Sequence, residues 1–170
     1  MKLQTGDLVF TRSPKLISRL IRLASAFRLT LAGAYIPSHV GMIRVVDGVP
    51  WVQEALWGRG FVKTPYEEWM CDHHTESVRI VRMPFTGKRS EIGRELELME
   101  GTPYDTLLGL TRTIGDRNRD STKRDFCSAA CQRVIERALH MRIRKLDRPD
   151  NTNPYELYKW ALTLGHEEVV

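Results

Sequence analysis

The stretch DFCSAACQRV, residues 125–134, marks the point where charged, turn-prone sequence gives way to an apolar helical pattern. Charged and turn-forming residues fill positions 116–125, and apolar residues then recur with helical spacing as far as Leu139. This pattern predicts a helix over residues 126–141, with Cys127 in its first turn. Unpaired backbone N–H groups and the helix dipole stabilise a thiolate at such a position. Cys127 is therefore a candidate nucleophile.

Two further cysteines, Cys71 and Cys131, raise the question of disulfides and metal ligands. An odd count of three cysteines argues against a disulfide framework. Cys127 and Cys131 lie four positions apart on one predicted helix, which is poor disulfide geometry. Cys131 lies one turn further into the helix than Cys127, and we interpret it as a packing residue. His73 and His74 lie near Cys71, but their spacing matches no closed tetrahedral set. We expect reduced thiols and no metal site.

A predicted β-hairpin supplies the base that a thiol nucleophile needs. The dipeptide Asp-Gly at residues 47–48 is a strong signal for a two-residue turn between two strands. With a two-residue loop, Gly41 faces Glu54. Since side chains alternate along a strand, Glu54 then shares the face of His39, roughly 7–8 Å away along the diagonal. A three-residue loop would put Glu54 on the other face.

These residues suggest a Cys–His–Glu constellation. A cysteine nucleophile needs a base, and the base needs an orienting partner. His39 is the candidate base, and a carboxylate at Glu54 would fix the imidazole tautomer and favour the imidazolium of a Cys–His ion pair. Backbone N–H groups at Cys127 and Ser128 would help to form an oxyanion hole.

The rest of the sequence predicts a small antiparallel sheet flanked by helices, which is an α+β fold. A length of 170 residues suits one domain over residues 1–170. The predicted strands lie within residues 6–10, 38–46, 50–57, 58–63 and 77–83, and the segments 6–10 and 58–63 each begin with a turn. The predicted helices cover residues 14–27, 65–70, 88–100, 126–141 and 154–164.

Charge patterning leaves two interpretations of residues 14–28 open. Apolar residues recur on one face of this predicted helix and basic residues on the other. The helix either packs on the core with a solvated basic face or lies on an anionic membrane surface. The net charge of +5 permits an anionic partner without requiring one. We expect no nucleic acid, because the basic residues of 112–124 are interspersed with acidic ones and aromatic residues are few there.

Neither a signal peptide nor a membrane span is predicted. The first seven residues lack an apolar core region, and arginines interrupt the apolar segment 16–36. We therefore expect synthesis in the cytoplasm.

Five short motifs occur in a rotated order relative to a known superfamily. They are GDLVF at residues 6–10, SHVG at residues 38–41, Glu54, GTPY at residues 101–104 and FCS at residues 126–128. NlpC-type papain-like peptidases carry similar pieces, but the Gly-x-Pro-Tyr and cysteine segments come first in them. The chain thus resembles the permuted papain-like amidases of the YaeF/YiiX type, which are related to lecithin–retinol acyltransferase-like proteins. The resemblance covers roughly residues 6–160.

This resemblance implies a circularly permuted papain-like fold, in which a small antiparallel sheet or partial barrel packs against the nucleophile helix. It implies a cysteine hydrolase with Cys127, His39 and Glu54 as catalytic residues. By the same analogy, Tyr104 and Ser128 serve the substrate or the oxyanion. Neither a metal nor an organic cofactor is expected.

The resemblance implies two substrate classes and does not choose between them. One is amide bonds of peptidoglycan peptides; the other is fatty-acyl amides or esters, with a hydrolase or acyltransferase acting on them. A lipid-binding module on the same fold is a further alternative. A phage-derived enzyme, or one released to the cell envelope by other means, would reconcile a wall substrate with the missing export signal.

Overall fold

The described part of the chain is built on one six-stranded sheet. A computed structural model describes residues 2–12, 35–73, 77–104, 127–143, 146 and 152–169. The strands are β1 (Leu8–Arg12), β2 (His39–Val46), β3 (Val49–Leu56), β4 (Gly60–Pro65), β5 (Ser77–Arg82) and β6 (His166–Val169). The helices described are α1 (Tyr66–Asp72), α2 (Arg89–Met99), α3 (Cys127–Leu139) and α4 (Pro154–Leu162).

The sheet is antiparallel throughout, with the strand order β4-β3-β2-β1-β5-β6. The α+β class predicted from the sequence is therefore confirmed. In the described ranges, no helix is long and apolar enough to cross a membrane. The predicted helix over residues 14–27 and the charged, turn-prone segment 116–125 lie outside the described residues.

The hairpin between β2 and β3 has the predicted two-residue loop. Asp47 and Gly48 both have positive φ, at 51° and 81°. Positive φ at both central positions is the signature of the type I′ turn, whose twist matches that of the flanking strands. The resulting register pairs Val46 with Val49 and Met42 with Gln53, as predicted.

Buried side chains cover both faces of the sheet. Because successive side chains alternate, Leu8 and Phe10 pack into a first cluster while Val9 packs into a second. The first cluster includes residues of α2, α3 and α4. The second cluster includes Trp69 of α1. The sheet therefore separates the cysteine helix α3 from the short helix α1.

Strand β6 was not predicted from the sequence. It is a short edge strand of sequence HEEV, with Arg82 paired to His166 and Arg79 to Val169. Two successive glutamates do not favour a strand by propensity. Tertiary contacts favour it instead, because Glu167 accepts hydrogen bonds from Arg79 and from the Tyr158 hydroxyl, each at 2.6 Å.

Candidate active site

The candidate nucleophile lies at the first described residue of α3. The Cys127 side chain is buried, with 6% of its surface exposed. The backbone N–H groups of Val40 and Ser128 donate hydrogen bonds to its sulfur. Val40 belongs to β2, against which α3 packs, so strand and helix both present donors to the sulfur. Such donors stabilise the thiolate relative to the thiol.

The imidazole of His39 joins the sulfur to a carboxylate. His39 is the first residue of β2, and its Nε2 lies 2.6 Å from Oε2 of Glu54. The ring also hydrogen-bonds the Cys127 side chain. Since Nε2 is engaged by Glu54, Nδ1 is the nitrogen left to face the sulfur. The structure thus brings together Cys127, His39 and Glu54, the three residues singled out from the sequence.

Glu54 is held at both of its oxygens. Oε2 is bonded to His39, and Oε1 accepts a hydrogen bond of 2.9 Å from the indole Nε1–H of Trp69. The residue is 1% exposed. A buried carboxylate is costly unless it is hydrogen-bonded and paired with a cation, and here it has both kinds of partner.

The charges of these groups shift one another's ionisation. Burial by itself would lower the pKa of His39, but the Cys127 thiolate and the Glu54 carboxylate raise that pKa well above its ordinary 6.5. Burial opposes ionisation of Cys127 too, yet the His39 imidazolium and the two backbone N–H donors bring the pKa of the thiol below 9.0. Likewise, burial would raise the pKa of Glu54, while His39 and Trp69 lower it below 4.5. The arrangement therefore favours a thiolate–imidazolium pair.

The two residues suggested for the oxyanion occupy different surroundings. The hydroxyl of Ser128 is buried and donates to the carbonyl oxygen of Thr152 at 2.6 Å, so its backbone N–H is the group that faces the sulfur. Tyr104 is partly buried against the first cluster, and its ring stacks on Trp57 with centroids 6.4 Å apart. Their roles towards an oxyanion stay predictions.

The other cysteines lie apart from this constellation. Cys131 is 1% exposed and packs in the first cluster, one turn further along α3. Cys71 is exposed on α1. His74 lies outside the described residues.

Trp69 and His73 were not predicted from the sequence to lie beside Glu54, and His73 was considered only as a metal ligand. Trp69 is 1% exposed in the second cluster, and the ring of His73 stacks on it with centroids 4.1 Å apart. A tryptophan on a short helix carries no local signal of a contact with Glu54, 15 positions earlier in the chain. That contact arises only when α1 folds onto β3, with which it packs.

The fold is similar to that of the metalloprotein YiiX of Escherichia coli O157:H7, a DUF1105 protein. The two chains are 24% identical, and the match covers 100% of this chain and 89% of that chain with a TM-score of 0.65. The chain has a YiiX-like fold. No protein-family model matches it, and no curated protein matches it.

Because YiiX is a metalloprotein, the residues of this chain that could bind a metal bear on the comparison. Across the described ranges, no group of three or more His, Cys, Asp or Glu side chains is arranged to hold a metal ion. Both oxygens of Glu54 and Nε2 of His39 are already engaged with protein partners. The described residues therefore do not fit a metal.

Proposed function

We propose that the protein is a cysteine hydrolase that cleaves amide bonds through an acyl-enzyme thioester. One observation carries the proposal: His39 contacts the Cys127 sulfur on one side and the Glu54 carboxylate on the other. Nucleophilic catalysis by cysteine requires a thiol, a base that contacts the thiol, and a group that orients the base. Here the imidazole lies between the thiol and the carboxylate and contacts both. The YiiX-like fold is compatible with the resemblance drawn from the motifs.

Acylation begins from the thiolate–imidazolium pair. The Cys127 thiolate attacks the substrate carbonyl carbon, and the carbonyl electron pair moves onto oxygen to give a tetrahedral oxyanion. When this intermediate collapses, the carbon–nitrogen bond breaks and the His39 imidazolium gives its proton to the departing nitrogen. The products of this half-reaction are a free amine, a neutral imidazole and a thioester on Cys127.

Deacylation uses the same imidazole as a base. Neutral His39 takes a proton from a water molecule as its oxygen attacks the thioester carbonyl. Collapse of the second tetrahedral intermediate breaks the carbon–sulfur bond and releases a carboxylic acid and the thiolate. Glu54 keeps Nε2 of His39 engaged throughout, which orients the ring and stabilises its charged form.

The oxyanion of both intermediates needs hydrogen-bond donors. We propose the backbone N–H groups of Cys127 and Ser128 and the Tyr104 hydroxyl for this role. The Ser128 N–H, which donates to the thiolate before the reaction, becomes available to the oxyanion once the sulfur is bonded to carbon. Removing a single oxyanion donor costs roughly 100- to 1,000-fold in kcat in a hydrolase of another fold.

We propose a peptide amide of the bacterial cell wall as the substrate, which is one of the two classes that the motif resemblance implies. Fatty-acyl amides or esters are the competing class, and such substrates would bring the protein to an anionic membrane surface. Trapping distinguishes the two: wild-type protein and Cys127→Ser are incubated with cell-wall and lipid extracts, and intact mass is measured. A peptidyl adduct on residue 127 supports the proposal, and a fatty-acyl adduct selects the competing class.

Cys131→Ser serves as the matched control, because Cys131 lies on the same helix and is also buried. This variant is expected to trap the same adduct as the wild type. An adduct located on Cys131, or the absence of any adduct together with a Cys127 thiol of ordinary reactivity, would overturn the proposed hydrolase.

A further inference from the structure

The hydrogen bonds around Glu54 extend past the three proposed catalytic residues. Glu54 lies on β3, and the Trp69 that donates to its Oε1 lies on α1, in the second cluster. Cys127 packs in the first cluster, on the opposite side of the sheet. His39 and Glu54 therefore connect the nucleophile to a residue of the other layer.

We propose that Trp69 is a positioning residue: its indole N–H holds the Glu54 carboxylate so that Oε2 points at Nε2 of His39. This inference rests on the proposed function and deepens it. A carboxylate can rotate about its last bond, and the rotation moves both oxygens. The indole ring is 1% exposed and packed among apolar side chains, so its N–H direction is fixed. A fixed donor at Oε1 fixes Oε2 as well.

His73 in turn fixes the plane of the indole. Its ring lies nearly parallel to that of Trp69, at 20°. Because a carbonyl oxygen only accepts, the 2.8 Å contact between Nδ1 of His73 and the Trp69 carbonyl oxygen places a proton on Nδ1. The imidazole is therefore anchored to the same residue on which it stacks. The contacts run from Cys127 through His39, Glu54 and Trp69 to His73.

Loss of the indole donor has a defined consequence for charge. Without it, one oxygen of a buried carboxylate has no partner, so the ionised form of Glu54 is less stable. Less of Glu54 is then ionised at mildly acidic pH, and the His39 imidazolium loses its counter-charge there. The thiol of Cys127 retains its proton to higher pH as a result. Within the described ranges, the ionisable groups acting on Glu54 include His39 and His73.

The test is the pH profile of Cys127 alkylation by iodoacetamide in Trp69→Phe, which keeps an aromatic ring and removes the N–H. The acid limb of this profile is the pH range over which the alkylation rate rises as the Cys127 thiol loses its proton. In Trp69→Phe we expect the acid limb to lie roughly half to one pH unit higher than in the wild type, as for the loss of one hydrogen bond to a charged group. Trp160→Phe is the matched control. Trp160 is 8% exposed in the first cluster, away from Glu54's layer, and its variant is expected to leave the limb in place.

A double-mutant cycle with Glu54→Gln separates positioning from a general loss of packing. If Trp69 acts through the Glu54 carboxylate, adding Trp69→Phe to the wild-type protein shifts the acid limb of the alkylation profile. Adding Trp69→Phe to the Glu54→Gln variant then produces no shift. An equal shift in both backgrounds, or no shift in either, overturns the inference. A wild-type Cys127 with the profile of a free thiol overturns the proposed function instead, so the two failures are distinguishable.

A second measurement needs no change at Trp69. The indole N–H signal of Trp69, assigned by NMR through its contacts to the backbone, is expected downfield of a solvent-exposed indole because its acceptor is charged. In Glu54→Gln, where the acceptor is neutral, it is expected to move upfield. A wild-type signal at the exposed-indole position, or one unmoved by Glu54→Gln, contradicts the inference even if Trp69→Phe does not fold.

Discussion

At the scale of single residues, His39 uses its two ring nitrogens for different partners. Nε2 lies 2.6 Å from Oε2 of Glu54, which leaves Nδ1 for the Cys127 sulfur. The side chain of His39 is 21% exposed, whereas that of Glu54 is 2% exposed. The imidazole is thus the solvent-accessible member of the pair, and the carboxylate that holds it is shielded from competing water.

Replacing His39 by Ala is expected to lower kcat/KM roughly 100- to 10,000-fold, because the variant has no group to hold or transfer the proton. The measurement is hydrolysis of the substrate identified by trapping. His166→Gln is the matched control, since His166 is exposed on the edge strand β6, and its kcat/KM is expected to equal that of the wild type. A His39→Ala variant with unchanged turnover would remove His39 from the proposed mechanism.

Replacing Glu54 by Gln tests the sign of its electrostatic effect. The Glu54 carboxylate is one of the groups that raise the pKa of His39, so its neutralisation lowers that pKa. The imidazolium is then lost at lower pH, and the basic limb of the kcat/KM profile is expected to move towards acid. The measurement is the pH profile of kcat/KM. A limb that moves towards base, or does not move, contradicts the assignment of Glu54.

At the scale of elements, the β2–β3 hairpin sets the site. The turn at residues 47–48 fixes the register that pairs Met42 with Gln53, and this register continues towards Gly41 and Glu54. The two strands approach closely at Gly41. A Cβ built there would lie 3.0 Å from Cγ1 of Val52 and 3.3 Å from Cβ of Glu54. A glycine at position 41 therefore leaves room for the side chains of Val52 and Glu54.

Gly41→Ala is expected to destabilise the fold by about 1–3 kcal/mol, as overpacking does, and to lower kcat/KM because it displaces Glu54. Denaturant unfolding and kinetics on the same preparation measure both effects. Gly87→Ala is the matched control, because a Cβ at Gly87 meets nothing within 4 Å. If Gly41→Ala behaves like Gly87→Ala in both assays, the close approach of the strands is irrelevant to the site.

At the scale of the whole molecule, the sheet links two layers that each supply part of the site. Helix α3 brings the thiol to one side, and α1 brings Trp69 to the other. The two edges of the sheet are formed by β4 and β6. On β6, Glu167 accepts hydrogen bonds from Arg79 and Tyr158. This polar cluster joins β5, β6 and α4. Strands β5 and β6 lie two and three strands beyond β2, so the cluster is separate from the candidate site.

Glu167→Gln is accordingly expected to lower the free energy of unfolding by about 1–3 kcal/mol, since it weakens two hydrogen bonds to a charged acceptor, and to leave kcat/KM unchanged. Glu97→Gln is the control. Its side chain is 64% exposed in an ion pair with Arg44, and such pairs contribute about 0–1 kcal/mol. Equal stabilities for the two variants would argue against β6 being held by Glu167.

The sequence by itself determined the local parts of this protein. Asp47 and Gly48 both adopt positive φ, and this two-residue turn fixes the register of the hairpin. Because side chains alternate between the faces of a strand, that register places His39 and Glu54 on one face of the sheet. Helical periodicity located α3 to within two residues of its observed end at Leu139. These features depend on neighbours close in the chain, so their residues carry the signal.

Only the tertiary structure decided the contacts between distant segments. The pairing of β6 with β5 and the contact of Trp69 with Glu54 depend on which surfaces meet after folding. The hydrogen bond from the Val40 N–H to the sulfur of Cys127 also depends on tertiary packing, because the two residues are 87 positions apart in the sequence. No local pattern encodes such contacts, because burial and charge pairing arise when the layers pack together.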